Sequence, residues 1–302
     1  MNTGLNLRRR ILYLRSKNIR EEKGDSGRFK REVKVRTITA LIVAPFVVAC
    51  FASYYSLIGL VATVTLIAGY EYVATFLKGF GNTGLTFVST LAFPVSSALY
   101  GWLILKGFSA PELVYLFAFF SLSFLSLVLS KDPACVSAFI TQGSFALLYI
   151  SLGLSFFFRA YKEFGGLVAV LILLSVWVFD IGAYFVGIRF GRIRISPAFS
   201  PKKSLEGAIG GFFATLVFVY LFDIVFKLAG YDVLRGMEPW LLALTCAVMG
   251  TLGDLSESAL KRYRGVKDVG NVLPGHGGML DRIDGLLFVV PTFFLLLLVV
   301  RG

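Results

Sequence analysis

The sequence predicts an all-α protein that crosses a membrane many times and gathers its polar chemistry toward one face, in the C-terminal part. Three observations carry this. Hydrophobic residues make up 57% of the 302 positions and charged residues 16%, far from the balance of a soluble domain. Apolar stretches of about 20 residues, the length of a membrane-crossing helix, recur from Thr37 onward without the alternation of a β-barrel. Backbone groups inside lipid must then be paired within helices. Finally, apart from Glu71, the first five apolar stretches hold no ionisable residue well inside them, whereas the later ones hold Asp180, Asp223, Asp254, Glu257, Asp281 and Asp284. Charges in a bilayer are costly, so this imbalance marks where function lies.

The chain opens with a basic arm, residues 1–36, holding twelve Lys/Arg against four Asp/Glu. Such an arm suits nucleic acid or anionic headgroups; directly before a membrane span, orientation and lipid contact are the expected roles, with no nucleic-acid partner. Its length and the lack of a small-residue cleavage site argue against a signal peptide. Nine helices follow, at 37–56, 58–77, 84–105, 111–130, 137–158, 165–190, 205–229, 239–260 and 278–300. With the arm in the cytoplasm, twenty-three Lys/Arg fall on the inner side and six on the outer, the asymmetry expected of a cytoplasmic N-terminus. Cys50, Cys135 and Cys246 have no metal or disulfide spacing and read as packing residues. No repeat is evident, and three regions are expected: the arm, N-terminal spans at 37–164, and a catalytic membrane region at 165–302.

Asp180-Ile181-Gly182-Ala183-Tyr184 lies in the sixth span, where Ala183, Gly187 and Gly191 form a small-residue face suited to helix packing. Asp180 needs a cation or a wet cavity. The next loop reads Ser200-Pro201-Lys202-Lys203-Ser204 and runs into Leu205-Glu206-Gly207 and Gly211. Lysines and hydroxyls at a helix start suit phosphate oxygens, while Ser204 equally suits a plain N-cap. Gly207 and Gly211 suit packing. In the eighth span Asp254, Glu257 and Lys261 fall at i, i+3 and i+7 on one face, either a Mg²⁺ site or a self-neutralising network. Then comes Lys267-Asp268-Val269-Gly270-Asn271-Val272-Leu273-Pro274-Gly275-His276-Gly277-Gly278-Met279-Leu280-Asp281-Arg282-Ile283-Asp284. Its glycines let amides converge on an anion at a helix start, and Asp281 and Asp284 share one face. His276, the chain's single histidine, is enclosed by glycines with little to pack against, so a substrate-orienting role is expected over a structural one. Asp223 and Lys227 read as an i, i+4 pair, and Glu71 as a polar anchor without a motif.

The run Ser258-Ala259-Leu260-Lys261-Arg262, Lys267-Asp268, Pro274 to Gly278 and Asp281-Arg282-Ile283-Asp284 closely resembles the signature of the phosphatidate cytidylyltransferases, or CDP-diacylglycerol synthases. The resemblance extends upstream to Asp180–Tyr184 and Ser200–Gly207 and covers 165–302; the first half is similar only in being helical, basic at its start and membrane-bound. It implies Mg²⁺-dependent transfer of a cytidylyl group from CTP to phosphatidic acid, giving CDP-diacylglycerol and pyrophosphate in phospholipid biosynthesis. Motif position then assigns Mg²⁺ to Asp254, Asp281 and Asp284, with Glu257 and Asp180 assisting or holding a second cation such as K⁺. Phosphate contacts fall to Lys202, Lys203, Lys261, Arg262, Lys267 and Arg282, and the nucleotide cradle to Ser200, Ser204, Asn271, His276, Gly277 and Gly278. An ion-coupled transporter would also place acids in the membrane, but its repeated halves are missing. A CTP-dependent lipid kinase would share the nucleotide site and differ in product. A CDP-alcohol phosphotransferase needs a DGxxAR run, which Asp284-Gly285-Leu286-Leu287 lacks. A bacterial inner membrane with a cytoplasmic active site is expected, and the small-residue faces permit a homodimer.

Overall fold

The computed structural model describes residues 41–80, 82–270, 272 and 277–302. The basic arm, the start of the first expected span, Asn271 and the run Leu273 to His276 lie outside the described residues.

Each expected span coincides with a helix. In chain order these are α1 (Leu41–Ala52), α2 (Tyr54–Phe76), α3 (Thr83–Leu105), α4 (Leu113–Leu129), α5 (Pro133–Phe164), α6 (Gly166–Phe190), α7 (Leu205–Leu228), α8 (Glu238–Tyr263) and α9 (Leu280–Arg301). Among the described residues, seven are long and apolar enough to cross a membrane; α1 and α4 are apolar but shorter. A 17-residue helix such as α4 reaches only about 25 Å, less than a hydrocarbon core of about 30 Å. Expected and observed ends differ most at α5, which runs six residues past the expected 158. Its last turns carry Arg159 and Lys162, too polar for a hydropathy window, and Gly165, with φ of +92°, ends it. Two π-helical stretches, Phe139–Gly143 and Leu147–Leu152, lie within α5, and a third, Cys246–Gly250, within α8 just before Asp254.

The loop between α6 and α7 is not wholly irregular. It holds an antiparallel hairpin of β1 (Arg194–Ser196) and β2 (Ser200–Ser204), with Arg194 opposite Ser204. Lys202 and Lys203 therefore sit on a strand and not in the first turn of a helix. Ser204 is the N-cap of α7, its Oγ accepting from Gly207 N at 3.2 Å. Glu206, in the first turn of α7, accepts from the amides of Arg192 at 3.0 Å and Ile193 at 3.1 Å and so ties the hairpin to the helix.

The α6–α7 interface is the most extensive in the molecule, and it uses the small residues. A Cβ on Gly207 would come within 2.8 Å of Ala183 O, and one on Gly182 within 2.6 Å of Ala214 Cβ. Gly253 and Gly285 do the same for α8 and α9: a Cβ on Gly253 would collide with the Asp284 carbonyl and lie 3.0 Å from Gly285 Cα. This backbone-to-backbone approach brings the acids of the two helices together. One continuous apolar core runs from Phe51 on α1 to Leu297 on α9 and joins both halves of the chain. The cysteines are unpaired; Cys135 and Cys246 are buried in packing.

Candidate active site

α8 delivers Asp254, Glu257 and Lys261 on one face, as the spacing requires, and α9 delivers Asp281 and Asp284 from its first turns. Lys261 bridges the two helices: its Nζ donates to Glu257 Oε2 and to Asp281 Oδ1, both at 2.6 Å. Glu257 is 1% exposed and Lys261 12%, so this is an enclosed network and not a surface pair. Asp281 Oδ2 also accepts from Gly278 N at 3.0 Å, which folds the end of the glycine segment onto the start of α9. Gly277, with φ of +81°, supplies the turn that makes this possible.

From the hairpin, Lys203 crosses to Asp254 and pairs with Oδ2. Burial lowers the Lys203 ammonium to about 8 even though Asp284, Asp180 and Glu257 draw it upward. Asp180 on α6 lies about 15 Å from that helix's end at Phe190 and within electrostatic reach of Asp284, Lys203 and Arg282. Five carboxylates from three helices thus face three cations, Lys203, Lys261 and Arg282. Among the described residues no three acids are gathered tightly enough to hold a metal ion alone. The buried Glu257 Oε1 accepts from no donor among the described residues, and such an oxygen beside Asp281 and Asp284 suits a cation. Mg²⁺ commonly takes only one or two carboxylates, completing its shell with water and phosphate, and the donor set fits that demand.

A cavity of about 510 Å³ opens beside these residues, between α1, α2, α5, α6 and α9. Its walls are largely apolar, with Val47, Phe51, Val61, Leu154 and Trp177 among them, and its charged lining residues are Asp180, Asp281 and Arg282.

Lys202, Arg262 and Lys267 are exposed, Ser200 is half-buried in β2, and Gly278 is buried. Asn271 and His276 fall outside the described residues. Two residues without an expected role also reach the centre. Glu71 on α2 accepts from Leu280 N at 3.1 Å. Tyr149, in a π-helical stretch of α5, turns a buried hydroxyl toward Asp284 and Glu257, with no hydrogen-bond partner among the described residues. The signal for Glu71 was its isolation: an acid alone in an apolar span needs a partner. Tyr149 carried no comparable signal among thirteen tyrosines.

The model of the cytidylyltransferase family matches residues 34–300. The chain belongs to that family. It is 45% identical over 272 residues to the phosphatidate cytidylyltransferase of Thermotoga maritima, across 90% of this chain and 98% of that protein. It is 36% identical over 200 residues to the Bacillus subtilis phosphatidate cytidylyltransferase, across 66% of this chain and 72% of that protein, and 33% identical over 282 residues to that of Staphylococcus haemolyticus, across 88% and 99%. The motifs alone reach back only to 165, whereas the family match spans α1 to α9. The cytidylyltransferase fold therefore includes the N-terminal spans, consistent with the reach of Glu71 and Tyr149 into the charged centre.

Proposed function

We propose that this chain is a membrane-bound phosphatidate cytidylyltransferase, converting CTP and phosphatidic acid to CDP-diacylglycerol and pyrophosphate in phospholipid synthesis. The observation that carries this is the cavity: largely apolar but lined as well by Asp180, Asp281 and Arg282 of the charged centre, it suits an acidic lipid. A lipid phosphate oxygen attacks the α-phosphorus of CTP; the new P–O bond forms as the bond to the β-phosphate bridging oxygen breaks, and pyrophosphate departs with the electron pair. The attacking oxygen is already ionised, so no general base is required. The difficulty is that two polyanions must meet, and positioned cations offset it.

Lys203, Lys261 and Arg282 surround the meeting point, with Lys202, Arg262 and Lys267 on the rim to receive phosphates. Asp254, Asp281 and Asp284 would hold Mg²⁺, with Glu257 and Asp180 assisting or holding a second cation such as K⁺. When bound, the metal supplies positive charge at the α-phosphate and the departing pyrophosphate. By motif position, Gly277, Gly278 and His276 would shape the nucleotide cradle. The charge distribution supports a site facing the cytoplasm, from a bacterial inner membrane; a homodimer is compatible with the small-residue faces.

The test is purified protein with phosphatidic acid vesicles, Mg²⁺ and CTP labelled in its cytosine ring. Label in the extracted lipid is expected; label only in water-soluble products would favour a lipid kinase, and no CTP turnover would leave transport as the better reading. Asp281→Asn should abolish labelled lipid while the protein stays in the membrane fraction, and normal product from this variant would sink the metal assignment.

A further inference from the structure

Glu71 lies in the half of the chain that carries no motif, yet it is 2% exposed and its carboxylate is wrapped by the segment leading into α9. Oε2 accepts from Leu280 N at 3.1 Å, and the amides of Met279 and Val272 face the same carboxylate. Two glycines make room for it. A Cβ on Gly270 would collide with Glu71 Oε1, and one on Gly278 would lie 2.9 Å from both Glu71 Oε2 and Asp281 Oδ2. One turn further along α2, Thr75 Oγ1 donates to Val269 O at 2.9 Å. Thr75 O accepts from Arg264 Nε at 3.0 Å and Nη2 at 2.7 Å, and the Arg264 guanidinium stands 5.7 Å from the Phe76 ring centre. The end of α2 thus holds Arg264 and Val269 on one side and Leu280 on the other.

We propose that Glu71 is a positioning residue for the nucleotide site, fixing Gly270, Gly278 and the start of α9 in the arrangement that receives the triphosphate of CTP. This rests on the cytidylyltransferase reading. A carboxylate suits the task because its Oε2 accepts the Leu280 amide while the group as a whole places negative charge at the positive end of a helix. The arrangement also divides labour: Glu71 takes the Leu280 amide, Asp281 takes the Gly278 amide, and the two acids hold the turn from opposite sides. Without Glu71 the Leu280 amide is left buried and unpaired, and the turn rearranges to reach water or another acceptor.

The experiment compares Glu71→Ala and Glu71→Gln with the parent as full chains in nanodiscs. It reads KM for CTP and for phosphatidic acid separately, and hydrogen exchange of residues 264–285 without nucleotide. Glu71→Ala should raise KM for CTP about tenfold or more, the scale on which displaced positioning groups act, and leave KM for the lipid within about twofold. Glu71→Gln, which keeps an acceptor oxygen, should recover most of the loss. Amides of 270–280 should exchange faster in the alanine variant, those of mid-α9 unchanged. An unchanged KM for CTP, or an equal rise for both substrates, overturns the proposal. Should Glu71→Ala not accumulate, Glu71→Met, which fills the space but has no acceptor oxygen, carries the comparison, and an unaltered KM for CTP together with unaltered exchange overturns the proposal. Faster exchange in a protein that never makes CDP-lipid would support the tether while counting against the cytidylyltransferase reading.

Discussion

Lys261 stands between Glu257 and Asp281 at 2.6 Å from each, in surroundings where only 12% of its side chain and 1% of the Glu257 side chain meet solvent. An ion network this enclosed gains little over a well-packed apolar one, but losing one member leaves the others as uncompensated buried charges. Lys261→Met should therefore lower unfolding stability by about 3 kcal/mol or more. Lys261→Met with Glu257→Gln should recover part of that, since the second change removes one orphaned charge. Thermal unfolding of the three proteins in the same micelle checks this; a single variant as stable as the parent would show that Lys261 does not hold the network. At this scale much was legible in the sequence. The i, i+3, i+7 spacing of Asp254, Glu257 and Lys261 puts them on one face whatever surrounds the helix. The partners of Glu71 were not legible, because they are backbone amides about two hundred positions away and any sequence supplies amides.

Helices in this fold meet where side chains are smallest, and the tightest meeting lies at the chemistry. Gly253 sits against the Asp284 carbonyl and Gly285 Cα, so α8 and α9 approach without any side chain between them. An alanine ordinarily helps a helix by about 0.5–1 kcal/mol relative to glycine. At Gly253 that gain is outweighed, since the obstructing atoms are backbone and only a shift of a whole helix relieves them. Gly253→Ala should cut the turnover of CTP about a hundredfold by moving Asp254 relative to Asp284. Gly59→Ala on α2, whose Cβ would meet nothing within 4 Å, should leave turnover unchanged and stability equal or slightly higher. Equal activity in both variants would mean that the α8–α9 approach does not set the site. The helices themselves were readable from apolar length, and the small-residue faces from their spacing. The β1–β2 hairpin was not: Arg194–Ser196 and Ser200–Ser204 are too short and too polar to show an alternating pattern, and only pairing across the turn defines them.

Across the whole molecule, charge is divided between the two ends of the helix bundle, and the two sets do different work. At one end stand Asp180, Lys203, Asp254, Glu257, Lys261, Asp281 and Asp284, around a cavity and with unsatisfied groups among them. At the other, charged groups form local pairs: Arg159 with Glu112 and Tyr100, Lys227 with Asp223 at 2.6 Å, and Arg301 with Glu238. Hydropathy and loop charge made this division readable. They could not show that the far end is closed, since that depends on contacts between the end of α9 and the turn before α8. Arg301 makes those contacts, donating from Nε to Glu238 Oε1 at 2.7 Å and from Nη2 to Glu238 Oε2 at 2.6 Å and Val233 O at 2.9 Å, with Phe164 beneath its guanidinium. Glu238 is 1% exposed, so Arg301→Leu strands a buried carboxylate and should lower unfolding stability by about 3–5 kcal/mol. Arg301→Lys should restore only part of it, because an ammonium cannot replace the two-pronged fork. Along α9, about 25–30 Å separate this clamp at Arg301 from Asp284 and Asp281 in the charged centre. The folded fraction of Arg301→Leu should therefore keep the parent KM for both CTP and the lipid. A change in either KM at unaltered stability would reverse the assignment and make the far end part of the catalytic machinery.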